Sequence, residues 1–311
     1  MTFRIRGSFI PRDRSKWYDP YRNEFGWRPR SREGGPVFRD LTWDFQEPDQ
    51  YPGLAAEQKP GFMAGKADKA LHGALVAADP EALLAVAAAE PEHRDLAATL
   101  AGLLILDQDL ERGMDLLAGA LATATDVGKD RFVHKYLPEA GLTVVIAAGV
   151  MAHLPLQRTT LILLLAELYQ GRGEPERALE LLDAAEQTTH VRLSKAEILY
   201  EAADYEGVLT ATGGVNNDDD VTALMLAYRG RAFAELERYD EAIAALGRAL
   251  EYPNRAEAAK AIALVGRGMV HQARGEDILA QNDFTQALME VPDDPDAAKH
   301  IEQLIHGAGE G

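Results

Sequence analysis

The sequence predicts an all-α chain: a solenoid of stacked helix hairpins behind an irregular N-terminal arm, interrupted once by a short β-hairpin. Three observations carry this. First, residues 224–292 state one pattern twice. Gly230, Phe233, Tyr239, Ala242, Leu246, Ala249 and Leu250 are followed 38 residues later by Gly268, His271, Asp277, Ala280, Phe284, Ala287 and Leu288. Self-similarity at such a period marks a repeat array. Second, charge and aromatic residues segregate. Residues 1–40 hold ten basic and five acidic side chains, a balance of +5 that leaves −23 for the rest of a chain whose net charge is −18. Twelve of the 22 aromatics, including all three tryptophans, fall between Phe3 and Phe62. Third, hydrophobic residues make up 47 % of the 311 positions. That supplies a core, and an array escapes the size limit of a single core because each unit packs only on its neighbours.

Four segments follow in order: an arm over 1–60, degenerate repeat-like helices over 61–125, an irregular insertion over 126–158, and the array with a capping helix over 159–311. The arm holds seven of the fifteen prolines, which break helices and central strands. Residues 1–9 alternate enough for a short strand. Trp17, Tyr21, Trp27 and Trp43 are costly to leave in water, since burying a large side chain is worth roughly 1.5–3 kcal/mol. Three covers suit them, with Arg28 and Arg30 alongside: the chain's own acidic body, a partner protein, or a nucleic acid held by arginines on phosphates and rings under bases. The acidic body speaks against nucleic acid, which stays as the alternative: a regulatory protein using the basic arm.

In the body, Ala67, Ala70, Leu71, Ala74 and Leu75 have helical spacing. Asp79-Pro80 starts the next helix, with Asp as N-cap and Pro in the first turn. Residues 96–106 are apolar, and Leu110, Gly113, Leu117, Ala120 and Leu121 repeat the spacing of Tyr239, Ala242, Leu246, Ala249 and Leu250. Between 126 and 158 the pattern fails. The β-branched run at 143–146, the Ala148-Gly149 turn and the return over 150–154 predict a short hairpin or an irregular insertion. Leu165, Ala166, Tyr169, Gly173, Ala178, Leu182 and Ala185 restore the repeat, and Ala196, Leu199, Tyr205 and Val208 continue it. The Gly/Asn/Asp run over 213–220 reads as a solvated loop, and Pro295 starts a capping helix.

These residues resemble the tetratricopeptide repeat family, whose 34-residue unit is a helix hairpin with small residues near positions 8, 20 and 27. The likeness covers about 95–292, less the insertion. Arg229 and Arg267 stand at position 7 in place of leucine, His271 replaces the usual tyrosine, and spacings of 30 and 38 depart from the family's. The resemblance implies a right-handed α-solenoid whose first helices line a groove for a peptide or partner protein. Carried onto this chain, groove residues are Glu167, Gln170, Glu174, Glu197, Tyr200, Glu201, Asp204, Arg231, Glu235 and Arg238. The family's lysine and asparagine clamp for a C-terminal carboxylate is absent, and the groove is acidic instead. It therefore favours a basic peptide, and the nearest one is the chain's own arm, tethered at high effective concentration.

Chemical motifs are weak. Residues 61–66 read G-F-M-A-G-K, with one residue too few between the glycines and Ala67 where a phosphate loop needs Ser or Thr. Residues 216–220 lack the glycine and bidentate glutamate of a calcium loop. No histidine pair has zinc spacing, and cysteine is absent. The expectation is a non-catalytic scaffold or adaptor, without metal or cofactor. No apolar run reaches the roughly 20 residues of a membrane helix, so a soluble, cytoplasmic protein is expected.

Overall fold

The computed structural model describes residues 43–44 and 59–307, except 107, 124, 125, 139, 149 and 293. The described residues are mostly helical, with one small three-stranded sheet. The chain divides into two compact units. Among the described residues the first comprises 43–44, 59–144 and 151–171, and the second 145–150 and 172–307.

The first unit opens with α1 (Lys66–Ala77) and α2 (Pro80–Ala89). Asp79 caps α2 as its sequence implies, accepting from the amides of Glu81 and Ala82 at 3.0 Å. A 3-10 turn (Pro91–His93) leads into α3 (Arg94–Ile105), which packs on α4 (Leu110–Ala122). The guanidinium of Arg158 donates to the carbonyls of Leu121 and Thr123 at the end of α4, where unpaired carbonyls and the negative dipole end favour a cation.

The stretch expected to be irregular holds a further helix, α5 (Arg131–Tyr136), that the periodicity did not announce. Six residues are too few to show a period. Asp130 caps α5 through the Phe132 amide at 2.6 Å, and the helix places Phe132 and Tyr136 in a buried polar cluster. There Asp68 of α1 accepts from Tyr136 (3.1 Å) and Arg131 (3.3 Å) and meets Nε2 of His93 at 3.0 Å. Asp68 and His93 are only 3 % and 2 % exposed. Burial raises the Asp68 pKa, but the hydrogen bonds from His93 and Tyr136 and the Arg131 charge outweigh it and hold the carboxyl below its ordinary value.

The expected β-hairpin is present as β2 (Gly141–Ala147) and β3 (Val150–Pro155). A third, two-residue strand, β1 (Trp43–Asp44), pairs antiparallel with β2, Trp43 opposite Leu142 and Asp44 opposite Gly141. Between β2 and β3, Ala148 has φ +48°, the sense that two-residue hairpin turns require. The division between units runs through this hairpin, and its tip, 145–150, belongs to the second unit. α6 (Arg158–Gly171) completes the first unit.

The second unit contains α7 (Pro175–Asp183), α8 (Thr189–Glu201), α9 (Tyr205–Ala211), α10 (Asp220–Glu235), α11 (Tyr239–Ala249), α12 (Glu257–Ala273), α13 (Asp277–Glu290) and α14 (Pro295–Gly307). The doubled pattern maps onto α10–α11 and α12–α13. A methyl group on Gly230 would lie 2.4 Å from Leu246 Cγ, and one on Gly268 2.5 Å from Phe284 Cε1. The small residue of each first helix is thus where the second helix makes its closest approach. The arginines at position 7 have local employment. Arg229 donates to the Leu209 carbonyl at 2.7 Å, and Arg267 forks onto the buried Asp283 at 2.8 and 2.7 Å. The 213–220 stretch, expected to be a solvated loop, is a joint: Asn217 is 8 % exposed, donates to the Arg248 carbonyl at 2.7 Å and accepts from Arg255 at 2.8 Å.

One backbone feature recurs. Gly173, Ala203, Glu237 and Gly275 all have positive φ, at spacings of 30, 34 and 38. At the last three the same pair of bonds closes the preceding helix, for example Arg238 N–H to the Phe233 carbonyl and Glu237 N–H to the Ala234 carbonyl. Ala78 repeats the geometry after α1. A residue with a Cβ is held there at a cost of roughly 1–2 kcal/mol. Glu237→Gly should therefore raise unfolding stability by about 0.5–1 kcal/mol after the entropy of the freer unfolded chain is set against the relieved strain. Chemical denaturation of the variant beside Glu237→Ala measures it.

His300 of α14 stacks on Phe284 at 4.9 Å, and its Nδ1 meets Gln272 Oε1 at 3.1 Å. Burial pushes its pKa below 6.5. As pH falls below that value the unfolded chain gains a proton that the folded state resists, so stability declines until the folded value is reached. Burial lowers His72 and His190 in the same sense. The unfolding midpoint should drop through mildly acidic pH, and His300→Phe, which keeps the stacking, should flatten part of that slope.

Candidate functional site

The first helices of the second unit's hairpins, α8, α10 and α12, lie side by side. Thr188 caps α8, and Asp219 with Thr222 forms a reciprocal capping box on α10. These caps fix where each helix begins by satisfying its first-turn amides.

At the centre lies Glu197, 3 % exposed. Its Oε1 accepts from the Tyr228 hydroxyl at 3.1 Å and from the Ala148 amide, at the hairpin tip, at 2.7 Å. One turn on, Tyr200 has its ring 5.6 Å from Tyr205 and 5.8 Å from Tyr228, with the Arg231 guanidinium 4.9 Å above it. Its hydroxyl donates to Glu235 at 3.2 Å. Burial, reinforced by the Glu235 charge and hydrogen bond, pushes the Tyr200 pKa up to about 12 against the opposing pull of Arg231. The phenol therefore stays a neutral donor. Arg231 also reaches Asp296 of α14 at 3.3 Å.

Of the ten groove residues named from the sequence, Glu197, Tyr200, Arg231 and Glu235 join this cluster. Glu201, Glu235 and Asp204 are exposed, though Asp204 is engaged as the α9 cap, accepting from the Gly207 amide at 2.9 Å. Arg238 turns aside to pair with Glu241 and to cover Phe233 at 4.5 Å. Glu174 is tied to Arg172 and Arg177 at 3.0 and 2.7 Å. On α6, Gln170 is buried and Glu167 half-buried. Four members went unannounced: Tyr205, Tyr228, Asp296 and the Ala148 amide. Tyr205 opens its helix where Tyr239 opens the next, a signal legible in the sequence. The other three depend on contacts across 31 to 65 residues. Of the arm residues, Trp43 contributes its backbone to β1. Trp17, Tyr21, Trp27, Arg28 and Arg30, and the strand expected over 1–9, lie outside the described residues.

Within the cluster Tyr228 and Glu197 are buried and Arg231 covers the Tyr200 ring, so the negative charge that reaches the surface comes from Glu201 and Glu235. No helix among the described residues is long and apolar enough to cross a membrane.

Comparison with known proteins points one way. No curated protein matches the chain significantly. Among solved structures, the N-terminal domain of the EccA1 ATPase from the ESX-1 secretion system of Mycobacterium tuberculosis is similar, with 16 % identity, TM-score 0.53 and coverage of 76 % of this chain and 88 % of that one. That likeness supports the TPR-like helical fold. The sequence model described as "T7SS, ESX-1 secretion system protein EccA1, N-terminal domain" matches residues 111–303, more than half of the chain. The chain therefore belongs to the family of EccA1 N-terminal domains.

Proposed function

We propose that the chain is a protein-interaction module without catalytic activity, whose α8–α10 face takes an extended basic segment of a partner protein. One observation carries the reading: exposed Glu235 accepts from Tyr200, and exposed Glu201 follows Tyr200 at the end of α8, so two surface carboxylates stand at this tyrosine. Arg231 already supplies the cation over the Tyr200 ring, so recognition falls to the surface carboxylates, which speed and select basic partners. The basic arm is an intramolecular candidate for the same face. The family description names a secretion-system protein, and we place this chain's partner among the proteins that such a system handles.

The test is calorimetric titration of the full chain with an arginine-rich peptide. Glu201→Lys with Glu235→Lys should weaken binding tenfold or more, and added salt should weaken binding to the unmodified chain. If the arm competes, Arg28→Glu with Arg30→Glu should tighten it. Binding indifferent to both charge reversals would exclude this face.

A further inference from the structure

The outward side of α13 differs from its counterpart one repeat earlier. On α11 and the turn after it, positions 240, 241, 248 and 251 are Asp, Glu, Arg and Glu. Thirty-eight residues on, the same positions are Ile278, Leu279, Gln286 and Met289. Two units of one sequence thus serve as each other's control: four charges in one, none in the other. Ile278 is 84 % exposed, Met289 76 % and Leu279 50 %. Gln281, Asn282, Thr285 and Gln286 are exposed between them. Asp277 and Glu290 border this face at its two ends, and Glu290 is bound to Lys260 at 2.6 Å.

The order of these residues carries a symmetry. Ile278 and Met289, Gln281 and Gln286, and Asn282 and Thr285 are each centred on the same point, between Asp283 and Phe284, while Leu288, the counterpart of Leu279, packs inward on the core. Each pair matches in kind: apolar with apolar, amide with amide, small polar with small polar. A helix with this pattern is complementary to itself when a copy runs antiparallel across it. Ile278 of each copy then meets Met289 of the other, about 8 Å from the centre on either side. A two-fold interface requires this property, since each residue's contact is returned by its symmetry mate.

Charge selects the same occupant. The chain carries −18, so two copies repel wherever their acidic surfaces face. An uncharged, partly apolar face removes that local repulsion, whereas a basic partner finds no carboxylate on it. We propose that the outward face of α13 is a homodimer interface, formed by antiparallel pairing of the helix with a second copy of this chain. A single helix pair buries less than the standard interface, so the association is reversible and concentration-dependent. The inference is independent of the α8–α10 face.

Sedimentation velocity of the full chain over a wide concentration range should show a reversible monomer–dimer equilibrium. Ile278→Asp with Met289→Glu restores residue types that the preceding repeat carries at those positions, so the fold should persist by circular dichroism. The dimer Kd should rise at least tenfold. The sequence has no cysteine, which makes orientation testable. Asn282→Cys with Thr285→Cys should give a covalent dimer under mild oxidation, because antiparallel pairing sets each beside the other. A monomer at every concentration, a dimer indifferent to the charged pair, or a different protein captured through this face while the chain stays monomeric would each overturn the proposal.

Discussion

Phe284→Ala should lower the unfolding free energy by about 3–5 kcal/mol, the range for truncating a fully buried aromatic. Phe284 has no exposed surface. It lies where Gly268 lets α12 and α13 approach, and it supports the His300 ring at 4.9 Å. Truncation opens a cavity at the joint of three helices and removes the platform of the last one. Phe284→Leu is the informative companion, because Leu246 holds the same place one repeat earlier. Its loss should stay near 1–1.5 kcal/mol. Chemical denaturation with hydrogen exchange over α12–α14 measures both. A loss below about 1 kcal/mol for the alanine variant would mean that the helices do not pack around this ring.

The second large effect falls in the first unit. Asp68→Ala should cost about 3–5 kcal/mol, because it strands buried partners rather than merely deleting a contact. His93, 2 % exposed, loses its Nε2 partner at 3.0 Å, and the Tyr136 hydroxyl loses its acceptor at 3.1 Å. Asp68→Asn keeps one acceptor and should cost less. The acid limb of the stability profile gives an independent reading. The folded pKa of Asp68 lies below 3.8, so its stabilisation is complete above that value and is lost as pH falls through the folded one. The alanine variant should therefore unfold with a shallower acid dependence. Equal acid limbs in the two proteins would separate Asp68 from the stability of this cluster.

Both positions were differently legible. Phe284 stands in the second copy of a pattern whose first copy has Leu246, so periodicity alone marks it as core. Asp68 lies in a helix whose apolar spacing was readable, but its partners come from 25, 63 and 68 residues away, and no local period encodes them. Helix α5 was missed for a related reason: its six residues are held by one cap and one buried polar cluster. The face around Tyr200 divides the same way. Glu197, Tyr200, Arg231 and Glu235 were named because first-helix positions repeat at fixed offsets. The Ala148 amide and Asp296 arrive from a hairpin tip and a terminal helix, and they change what Glu197 and Arg231 do. Glu197 holds a turn of this chain rather than standing in solvent.

By itself the sequence determined the hairpin array, its 38-residue internal copy, the small-residue contacts at Gly230 and Gly268, and the β-turn at Ala148. Each is a local matter of side-chain size, spacing and backbone freedom, so a short window contains its cause. The tertiary structure alone decided which polar groups are used up inside and which remain for a partner. Burial and hydrogen-bond pairing belong to groups that meet in space, and a carboxylate on a helix reads the same in sequence whether it faces water or an amide 49 residues away.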